Sequence, residues 1–424
     1  MNPISASLLP DTAAISSNGV LTIGGIDTIQ LAAEYGTPLF VYDEAHLRAR
    51  CREAVAAFGG GAVYATKAFL CTAMARLAHD EGLRLDVATG GEFAVARAAG
   101  VPATAMVFHG NNKSSAELQM ALEQEVGCLV VDSFDEIDRI ETLVGRGLKP
   151  PEVLIRITPG VEAHTHEFVR TGQDDSKFGF TVSTGAASEA VARAETSQAM
   201  VLRGIHAHIG SQVFRSESYA EALGAIAAFT GPDQFEEVSI GGGLGVGYVE
   251  GEEAPSITEW AETIRAAAAQ HGLQSRISAE PGRAITALAA VTLYTVGTIK
   301  VIPGIRTYVA VDGGMSDNPR PVLYGSGYET FLPGTVKAPR SQEIRLVGKH
   351  CETGDVLVSA GWLPADVEVG DIVATPVTGA YGHSMGSNYN KVLRPAVVFV
   401  ADGKARLVVR RETYEDLLIT DLGP

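Results

Sequence analysis

The feature that most constrains this chain is a repeated alternation of short apolar runs and helical patterns between about residue 46 and residue 283. The intervening segments, such as "LCTAMARLAHDEG", carry apolar residues at helical spacing and end in glycine. The eight strand candidates are 62–67, 83–89, 105–110, 128–132, 153–160, 202–210, 237–243 and 276–282. Because parallel neighbours need a crossover connection, this alternation predicts a parallel sheet covered by helices.

The number and size of the repeats favour a closed α/β barrel. Eight strand–helix units in about 240 residues match a (β/α)8 barrel, and a doubly wound open sheet is the structural alternative. Polar residues or glycines end most of the strands, namely Lys67, Asp86, His109, Arg156, His208, Gly241, Gly242, Gly243, Glu280 and Arg283. In a barrel these ends meet on the face that carries active sites, so the sequence predicts a ligand site there.

The pattern changes after about residue 284. Segments such as "AAVTLYTVGTIKVI" and "PAVVFVADGKARLVVRRE" are rich in β formers, and "ADGKA" is typical of a hairpin turn. This texture predicts an antiparallel β domain. Near the N-terminus, "GVLTIGG" and "TPLFVYD" are also strand-like. The predicted organisation is an N-terminal segment 1–45 whose strands join the β domain, a barrel over 46–283, and a C-terminal β domain over 284–424.

Composition excludes several classes of protein. A formal net charge of −17 without a Lys/Arg cluster argues against binding nucleic acid or anionic membranes. No apolar run approaches the length of a membrane span, and the N-terminus lacks the features of a signal peptide. Cys51, Cys71, Cys128 and Cys351 form no CxxC pair, so we expect no disulfide framework, no zinc site and a cytoplasmic location.

Each chemically suggestive motif has an ordinary structural explanation on its own. "AVYATKAFL" places Lys67 after a strand-like run, where a lysine commonly extends to the surface. "SIGGGLGVG" suits a phosphate-binding loop or a tight turn, and its spacing is not the dinucleotide fingerprint. "HIGSQ", "EPGR" and "CETGDVL" equally describe a structural histidine, a turn with a weak ion pair and a small apolar cysteine.

The order of the motifs is more informative than any one of them. The chain contains, in sequence, "YATKA", "HGNNKS", "PGVEAHTHEFVRTGQDDSKFGF", "HIGSQ", "GGGLG", "EPGR", "RPVLYG", "CETGDVL" and "GAYGHSMGSNYN". This set resembles the fold-type III pyridoxal-phosphate decarboxylases, and most closely their diaminopimelate branch, from about residue 36 to residue 390. The resemblance implies an alanine-racemase-like fold, a barrel with a β domain, and pyridoxal 5'-phosphate as the cofactor, with no metal.

The resemblance also implies roles for residues at the cofactor. Lys67 is expected to bind the cofactor covalently, and burial at the strand end is expected to leave its amine partly deprotonated. Glu280 is expected to pair with the pyridine nitrogen and His208 to stack on the ring. The other residues expected to bind the cofactor, several of them at its phosphate, are Asp86, Ser211, Gly241, Gly242, Gly243, Gly282, Arg283 and Tyr381.

For the reaction, the resemblance implies decarboxylation of meso-2,6-diaminopimelate to L-lysine and carbon dioxide, the last step of lysine biosynthesis. The expected catalytic residues are Lys67, Cys351 and His208, with Cys351 as the proton donor to the α-carbon. The expected substrate-binding residues are Arg283, Arg320, Tyr324, Glu352 and Tyr381. Arg320 is the key expectation among them, because a guanidinium can hold a distal carboxylate bidentately, while Glu352 would bind the distal ammonium.

The resemblance further implies a head-to-tail homodimer with shared active sites, in which Cys351 and Glu352 come from the neighbouring chain. The alternatives are a related decarboxylase acting on ornithine, lysine, arginine or a carboxylated polyamine, and a non-catalytic regulator on the same scaffold. A regulator would be expected to lack Lys67 or Cys351, and both are present. Thr353 replaces an expected serine, and His383 stands where the family usually has a bulky apolar or aromatic residue.

Overall fold

The structure is a computed structural model that describes residues 3–161, 174–231 and 234–423. The described chain divides into two compact units. The barrel unit comprises Arg50–Gly245 and Ala254–Ala284, and the β unit comprises Met1–Ala49, Val246–Glu253 and Ile285–Pro424. The short segment Val246–Glu253, which the sequence pattern included in the barrel range, therefore groups with the β unit.

Eight parallel strands follow one another around the barrel unit in chain order. Their bounds are Val63–Ala65, Arg84–Val87, Met106–Phe108, Cys128–Val131, Glu152–Thr158, Val201–His206, Glu237–Ser239 and Arg276–Ser278, and the two-residue strand Phe180–Thr181 pairs beside the fifth of them. Most of their residues are buried, as expected for a parallel sheet that is covered on both faces.

The last strand returns to the first and closes the sheet. The Val63 N–H donates to Ala279 O at 3.0 Å, and the Ala279 N–H donates to Gly61 O at 3.0 Å. Ala62 and Ala279 form a parallel bridge. These contacts confirm the predicted (β/α)8 barrel and exclude the open doubly wound sheet.

Helices provide the crossovers between the barrel strands. Their bounds are Thr72–Asp80, Gly90–Ala98, Ser115–Glu123, Phe134–Gly145, Ala186–Thr196, Glu217–Thr230 and Ile257–Gln270, with the short helix Arg283–Thr286 after the last strand. Local sequence sets several of their starts: Ser114 with Glu117, and Ser256 with Glu259, form capping boxes. None of the helices in the described ranges is both long and apolar enough to cross a membrane.

The β unit contains an eight-stranded sheet that is rich in antiparallel pairs, as predicted. Its strands are Leu39–Asp43, Ala290–Ile302, Arg306–Val311, Gln342–Val347, Val356–Leu363, Ile372–Pro376, Ala396–Ala401 and Lys404–Val409. Two pairs are parallel: Leu39–Asp43 with Ala396–Ala401, and Arg306–Val311 with Gln342–Val347. The sheet is therefore mixed rather than purely antiparallel. Its unit also contains the helices Thr28–Tyr35 and Arg320–Tyr324, and Glu44–Phe58 leads the chain into the barrel unit.

Three local predictions for the β unit have different outcomes. The "ADGKA" hairpin is confirmed, because its turn residues Asp402 and Gly403 both have left-handed φ values, of 50° and 71°. "TPLFVYD" contributes Leu39–Asp43 to the large sheet, as predicted. "GVLTIGG" instead contributes Leu21–Ile23 to a separate three-stranded sheet, with Ala14–Ile15 and Ile26–Asp27.

Candidate active site

Lys67 lies just beyond the end of the first barrel strand. The strand ends at Ala65, and Thr66–Ala68 form a single 3-10 turn in which the Thr66 hydroxyl donates to Asp86 O at 2.7 Å. Thr66 and Ala68 are buried, whereas the Lys67 side chain is exposed. The expected burial of the Lys67 side chain is therefore wrong.

Glu280 is the centre of a buried polar cluster beyond the eighth barrel strand. Its carboxylate accepts a hydrogen bond from the Ser239 hydroxyl at 3.0 Å, and it lies 3.1 Å from His206 Nε2 and 3.4 Å from His109 Nε2. Burial alone would raise the pKa of Glu280, but His206 and His109 outweigh burial and hold this pKa well below its ordinary value. Glu280 is thus the ionised member of the cluster.

Asp86 lies in the same cluster, and its pKa is shifted in the opposite direction. Burial, followed by the charge of Glu280, raises the pKa of the Asp86 carboxyl well above its ordinary value. His109 Nε2 lies 3.7 Å from Asp86 Oδ1, and the His109 and His206 rings meet edge to face with centroids 5.0 Å apart. Two close buried carboxyls are costly to ionise together, so Asp86 holds a proton more readily while Glu280 stays charged.

Gly241, Gly242 and Gly243 form a closely packed turn after the seventh barrel strand. A Cβ on Gly242 would lie 2.2 Å from Glu280 O, and one on Gly243 would lie 2.1 Å from Gly210 O. Gly241 and Gly243 also have left-handed φ values of 68° and 106°. Only glycine fits this turn, and backbone without side chains can approach a phosphate closely.

His208, Ser211 and Arg283 lie around the glycine turn. His208 Nδ1 accepts the Gly242 N–H at 3.2 Å, which fixes the ring and leaves the proton of the neutral imidazole on Nε2. Burial, with the charge of Lys67, lowers the pKa of His208 well below its ordinary value, so the ring is neutral. The buried Arg283 donates from Nη2 to the Ser211 hydroxyl at 2.8 Å.

Cys351 and Glu352 lie together on an exposed turn of the β unit. The buried Asp355 supports this turn by accepting the N–H groups of Met315 at 2.7 Å and of His350 at 2.8 Å. The Cys351 N–H donates to Asn390 Oδ1 at 3.2 Å. The thiol is free and exposed, and its backbone is held in place.

Arg320 is the most informative residue of the β unit. It begins the helix Arg320–Tyr324, and only 5% of its surface is exposed. Its Nη1 donates to the Tyr328 hydroxyl at 2.7 Å, and its guanidinium carbon lies 3.9 Å from the centroid of the Tyr248 ring. Across the described ranges, no carboxylate forms an ion pair with Arg320. The positive charge of this buried guanidinium is therefore not neutralised by a carboxylate of the described residues.

Arg340 of the same unit shows the usual arrangement of a buried arginine. It is 1% exposed, and it forms ion pairs with Glu250 at 2.5 Å and with Glu329 at 2.8 Å. The contrast with Arg320 is informative because an unpaired buried charge is costly.

Two tyrosines with predicted binding roles also lie in this unit. Tyr324 is half-buried and ends the Arg320 helix. Tyr381 has a left-handed φ of 59°, a strained conformation that is frequent at ligand sites.

Comparisons with known proteins agree with this geometry. The family described as "Pyridoxal-dependent decarboxylase, pyridoxal binding domain" matches residues 44–287. The chain is 46% identical to the diaminopimelate decarboxylase of Bacillus subtilis (strain 168) over 98% of each chain, and 48% identical to that of Mycobacterium bovis over 94% of each. The crystal structure of diaminopimelate decarboxylase from M. jannaschii in co-complex with L-lysine superposes with a TM-score of 0.90 at 32% identity, covering 98% of each chain.

The chain belongs to the diaminopimelate decarboxylase family. It is a carboxy-lyase, and its cofactor is pyridoxal phosphate. The described residues of the barrel unit fit that cofactor. The ionised Glu280 suits a protonated pyridine nitrogen, the neutral His208 presents an uncharged ring, and the turn at Gly242 with Arg283 suits a phosphate.

Three residues of the cluster, His109, His206 and Ser239, had no predicted catalytic or binding role, although His109 was noted as a polar strand end. His206 and Ser239 both contact Glu280 directly. The signal for His206 was its position two residues before His208, because alternate residues of a strand share a face. One motif of the resemblance, "HTHEFVRTGQDD", lies mostly within residues 162–173, outside the described residues.

His383 has a structural explanation. Its buried ring meets Phe40 edge to face with centroids 5.8 Å apart. Burial, with the charge of Arg394, lowers the pKa of His383 to about 4. The imidazole is therefore neutral at pH 7 and packs like the aromatic or apolar residue that the family usually has at this position.

We expect His383→Phe to remove a pH-dependent loss of stability. The pKa of His383 falls from 6.5 to about 4 on folding, so the unfolded chain binds the proton first as the pH decreases. The contribution of His383 to the free energy of unfolding is present above about pH 6.5 and is lost as the pH falls towards 4. Between pH 7.5 and pH 5 the wild type should lose about 2 kcal/mol more free energy of unfolding than the variant.

Urea unfolding of both proteins at the two pH values measures this difference. The matched control is His271→Phe, which makes the same replacement at an exposed histidine. An equal loss of stability in wild type and His383→Phe would show that His383 does not titrate as its surroundings indicate.

Proposed function

We propose that this protein decarboxylates meso-2,6-diaminopimelate to L-lysine and carbon dioxide, the last step of lysine biosynthesis. The observation that carries the proposal is Arg320, a buried guanidinium for which the described residues supply no carboxylate partner. A buried cation without a counter-ion is costly, so this place favours an anionic ligand. The second carboxylate of diaminopimelate is such a ligand, whereas lysine, ornithine and arginine have none to offer at that end.

The names of the relatives support the same substrate. The Bacillus subtilis and Mycobacterium bovis proteins are named diaminopimelate decarboxylases, and the M. jannaschii structure contains L-lysine. L-lysine is the product that this reaction would release. In the proposed substrate complex, Tyr324 and Tyr381 assist Arg320, and Glu352 binds the distal ammonium group.

We assign the cofactor site chiefly to residues of the barrel unit. When bound, pyridoxal phosphate supplies an electron sink for the pair of electrons that a departing carboxylate leaves behind. Lys67 would hold the cofactor covalently, and Glu280 would keep its ring nitrogen protonated. His208 would pack against the cofactor ring. The residues that we assign to the rest of the cofactor, chiefly its phosphate, are Asp86, Ser211, Gly241, Gly242, Gly243, Gly282, Arg283 and Tyr381.

Cys351 returns a proton to the α-carbon after carbon dioxide has left. Its exposed thiol suits a group that must reach a reacting carbon, and its backbone is held by Asn390. We further propose that the enzyme is a head-to-tail homodimer, in which Cys351 and Glu352 serve the active site of the neighbouring chain. We also propose a reducing, cytoplasmic location for this dimer, because no disulfide joins cysteines in the described residues.

A substrate panel tests the proposal. The purified protein is loaded with pyridoxal phosphate and given meso-diaminopimelate, L-lysine, L-ornithine or L-arginine, and released carbon dioxide is measured. We expect turnover of meso-diaminopimelate with L-lysine as the product, and a kcat/KM for the other amino acids lower by about 100-fold or more. Preferential release from ornithine or arginine would replace the proposed substrate. Release from none of them would indicate a non-catalytic protein.

A further inference from the structure

We propose that Tyr248 and Tyr328 are positioning residues that hold the Arg320 guanidinium for the distal carboxylate and so set the preference for a two-carboxylate substrate. The inference rests on the proposed function. We call Tyr248, Tyr328 and Arg320 the arginine cradle. All three residues lie in the β unit.

The two tyrosines contact different parts of the guanidinium. Tyr248 lies against its flat face, with the ring centroid 3.9 Å from the guanidinium carbon, and the Tyr328 hydroxyl accepts a hydrogen bond from Nη1 at 2.7 Å. The two tyrosine rings meet edge to face with centroids 5.3 Å apart, and each residue is at most 3% exposed. One face and one N–H of Arg320 are therefore fixed, while the guanidinium has five N–H donors in its plane.

A separate ion-pair cluster fixes the tyrosines themselves. Glu250 lies two residues after Tyr248, and Glu329 directly follows Tyr328. Arg340 binds both carboxylates, at 2.5 Å and 2.8 Å, and the Glu250 N–H donates to Glu329 Oε1 at 3.3 Å. Arg340 thereby joins the two segments that carry the tyrosines. It also engages the two carboxylates nearest in sequence to the cradle, so they are not available to neutralise Arg320.

Tyrosines suit this position beside Arg320 better than a carboxylate would. A carboxylate beside Arg320 would fix the guanidinium equally well, but it would neutralise the charge and compete with an incoming anion. An aromatic face and a phenol hydroxyl orient the guanidinium without cancelling its charge. The cradle thus keeps a buried cation both ordered and available for a carboxylate.

The test removes each contact with the smallest possible change. Tyr328→Phe deletes only the hydroxyl that accepts the 2.7 Å hydrogen bond, and we expect KM for meso-diaminopimelate to rise about tenfold with kcat changed less than about twofold. Tyr248→Leu deletes the stacked ring and should raise KM by a similar factor of about ten. Tyr248→Phe keeps the ring and should retain more of the affinity than Tyr248→Leu.

The control variant is Tyr414→Phe. Tyr414 lies in the same unit and is 73% exposed, so we expect wild-type kinetics.

A double-mutant cycle distinguishes positioning from general damage. If the tyrosines act through Arg320, then Tyr328→Phe should have little further effect on kcat/KM in an Arg320→Ala background. Wild-type KM in both Tyr328→Phe and Tyr248→Leu would overturn the cradle, as would full additivity with Arg320→Ala. Because Tyr328→Phe preserves shape, its thermal unfolding midpoint should stay close to that of wild type even if Tyr248→Leu folds poorly.

The outcome for the cradle is separate from the outcome for the proposed function. If the wild type turns over meso-diaminopimelate and the tyrosine variants have wild-type KM, the cradle is rejected and the proposed function stands. A wild type that decarboxylates ornithine but not meso-diaminopimelate rejects the proposed function and the cradle with it.

Discussion

Replacing Lys67 with alanine is expected to abolish decarboxylation and to remove the covalent bond between protein and cofactor. The loss in turnover should exceed about 10⁴-fold, because Lys67 is the proposed attachment point of the cofactor. Its position supports this role: the side chain is exposed on the turn after the first barrel strand, close enough to Asp86 and His208 to interact with them electrostatically.

Borohydride reduction followed by peptide mass spectrometry measures the covalent bond directly. The wild type should carry the reduced cofactor on Lys67, and Lys67→Ala should carry none. Lys177→Ala, at an exposed lysine of the barrel unit, is the control and should keep the modification. Recovery of the cofactor on a different lysine would refute the assignment.

Lys113, in the "HGNNKS" motif, is the other lysine of structural interest in the barrel unit. Its buried ammonium donates to Gly110 O and Val130 O, both at 2.8 Å, and to Glu136 at 2.6 Å. Three contacts engage all three N–H donors of an ammonium group. Lys113 therefore stabilises the loop after the third barrel strand and offers no amine to a cofactor.

Replacing Cys351 with alanine is expected to slow turnover by about 10²–10⁴-fold while leaving cofactor binding unchanged. The reason is that the thiol acts late in the proposed reaction, when the α-carbon must gain a proton. The change removes only the Sγ group, since Asn390 and Asp355 hold the turn through the N–H groups of Cys351 and His350. Cys351→Ser keeps a polar hydrogen at the same place, but a hydroxyl is a weaker acid than a thiol. The turnover of Cys351→Ser should therefore lie between those of the wild type and Cys351→Ala.

Three measurements check the role of Cys351. Cofactor absorbance reports binding, steady-state kinetics report turnover, and the reaction in D2O reports the face of the α-carbon that gains deuterium. The proposal requires intact absorbance, a large fall in kcat and some loss of stereochemical control. A Cys351→Ala enzyme with near-normal kcat and unchanged stereochemistry would assign the proton to another group.

The sequence by itself determined the architecture, and it predicted the residues that we assign to the candidate site. The eight strand–helix repeats predicted the barrel, since both the alternation and its period are local properties of the chain. The hairpin at Asp402–Gly403 was equally predictable, because left-handed φ values at both turn positions favour these residue types. Lys67, Glu280 and Cys351 were predicted from the ordered set of motifs, and Lys67 and Glu280 each lie two residues beyond the end of a barrel strand.

Only the tertiary structure decided how these residues are charged, exposed and supported. Glu280 is ionised because His109 and His206, from two other strands, lie within 3.4 Å of its carboxylate. Lys67 is exposed although its neighbours Thr66 and Ala68 are buried. The segment Val246–Glu253 joins the β unit, where Tyr248 meets Arg320, although 72 residues separate them in the chain. Electrostatic environment and partner identity depend on distances between groups remote in sequence, and no local pattern encodes those distances.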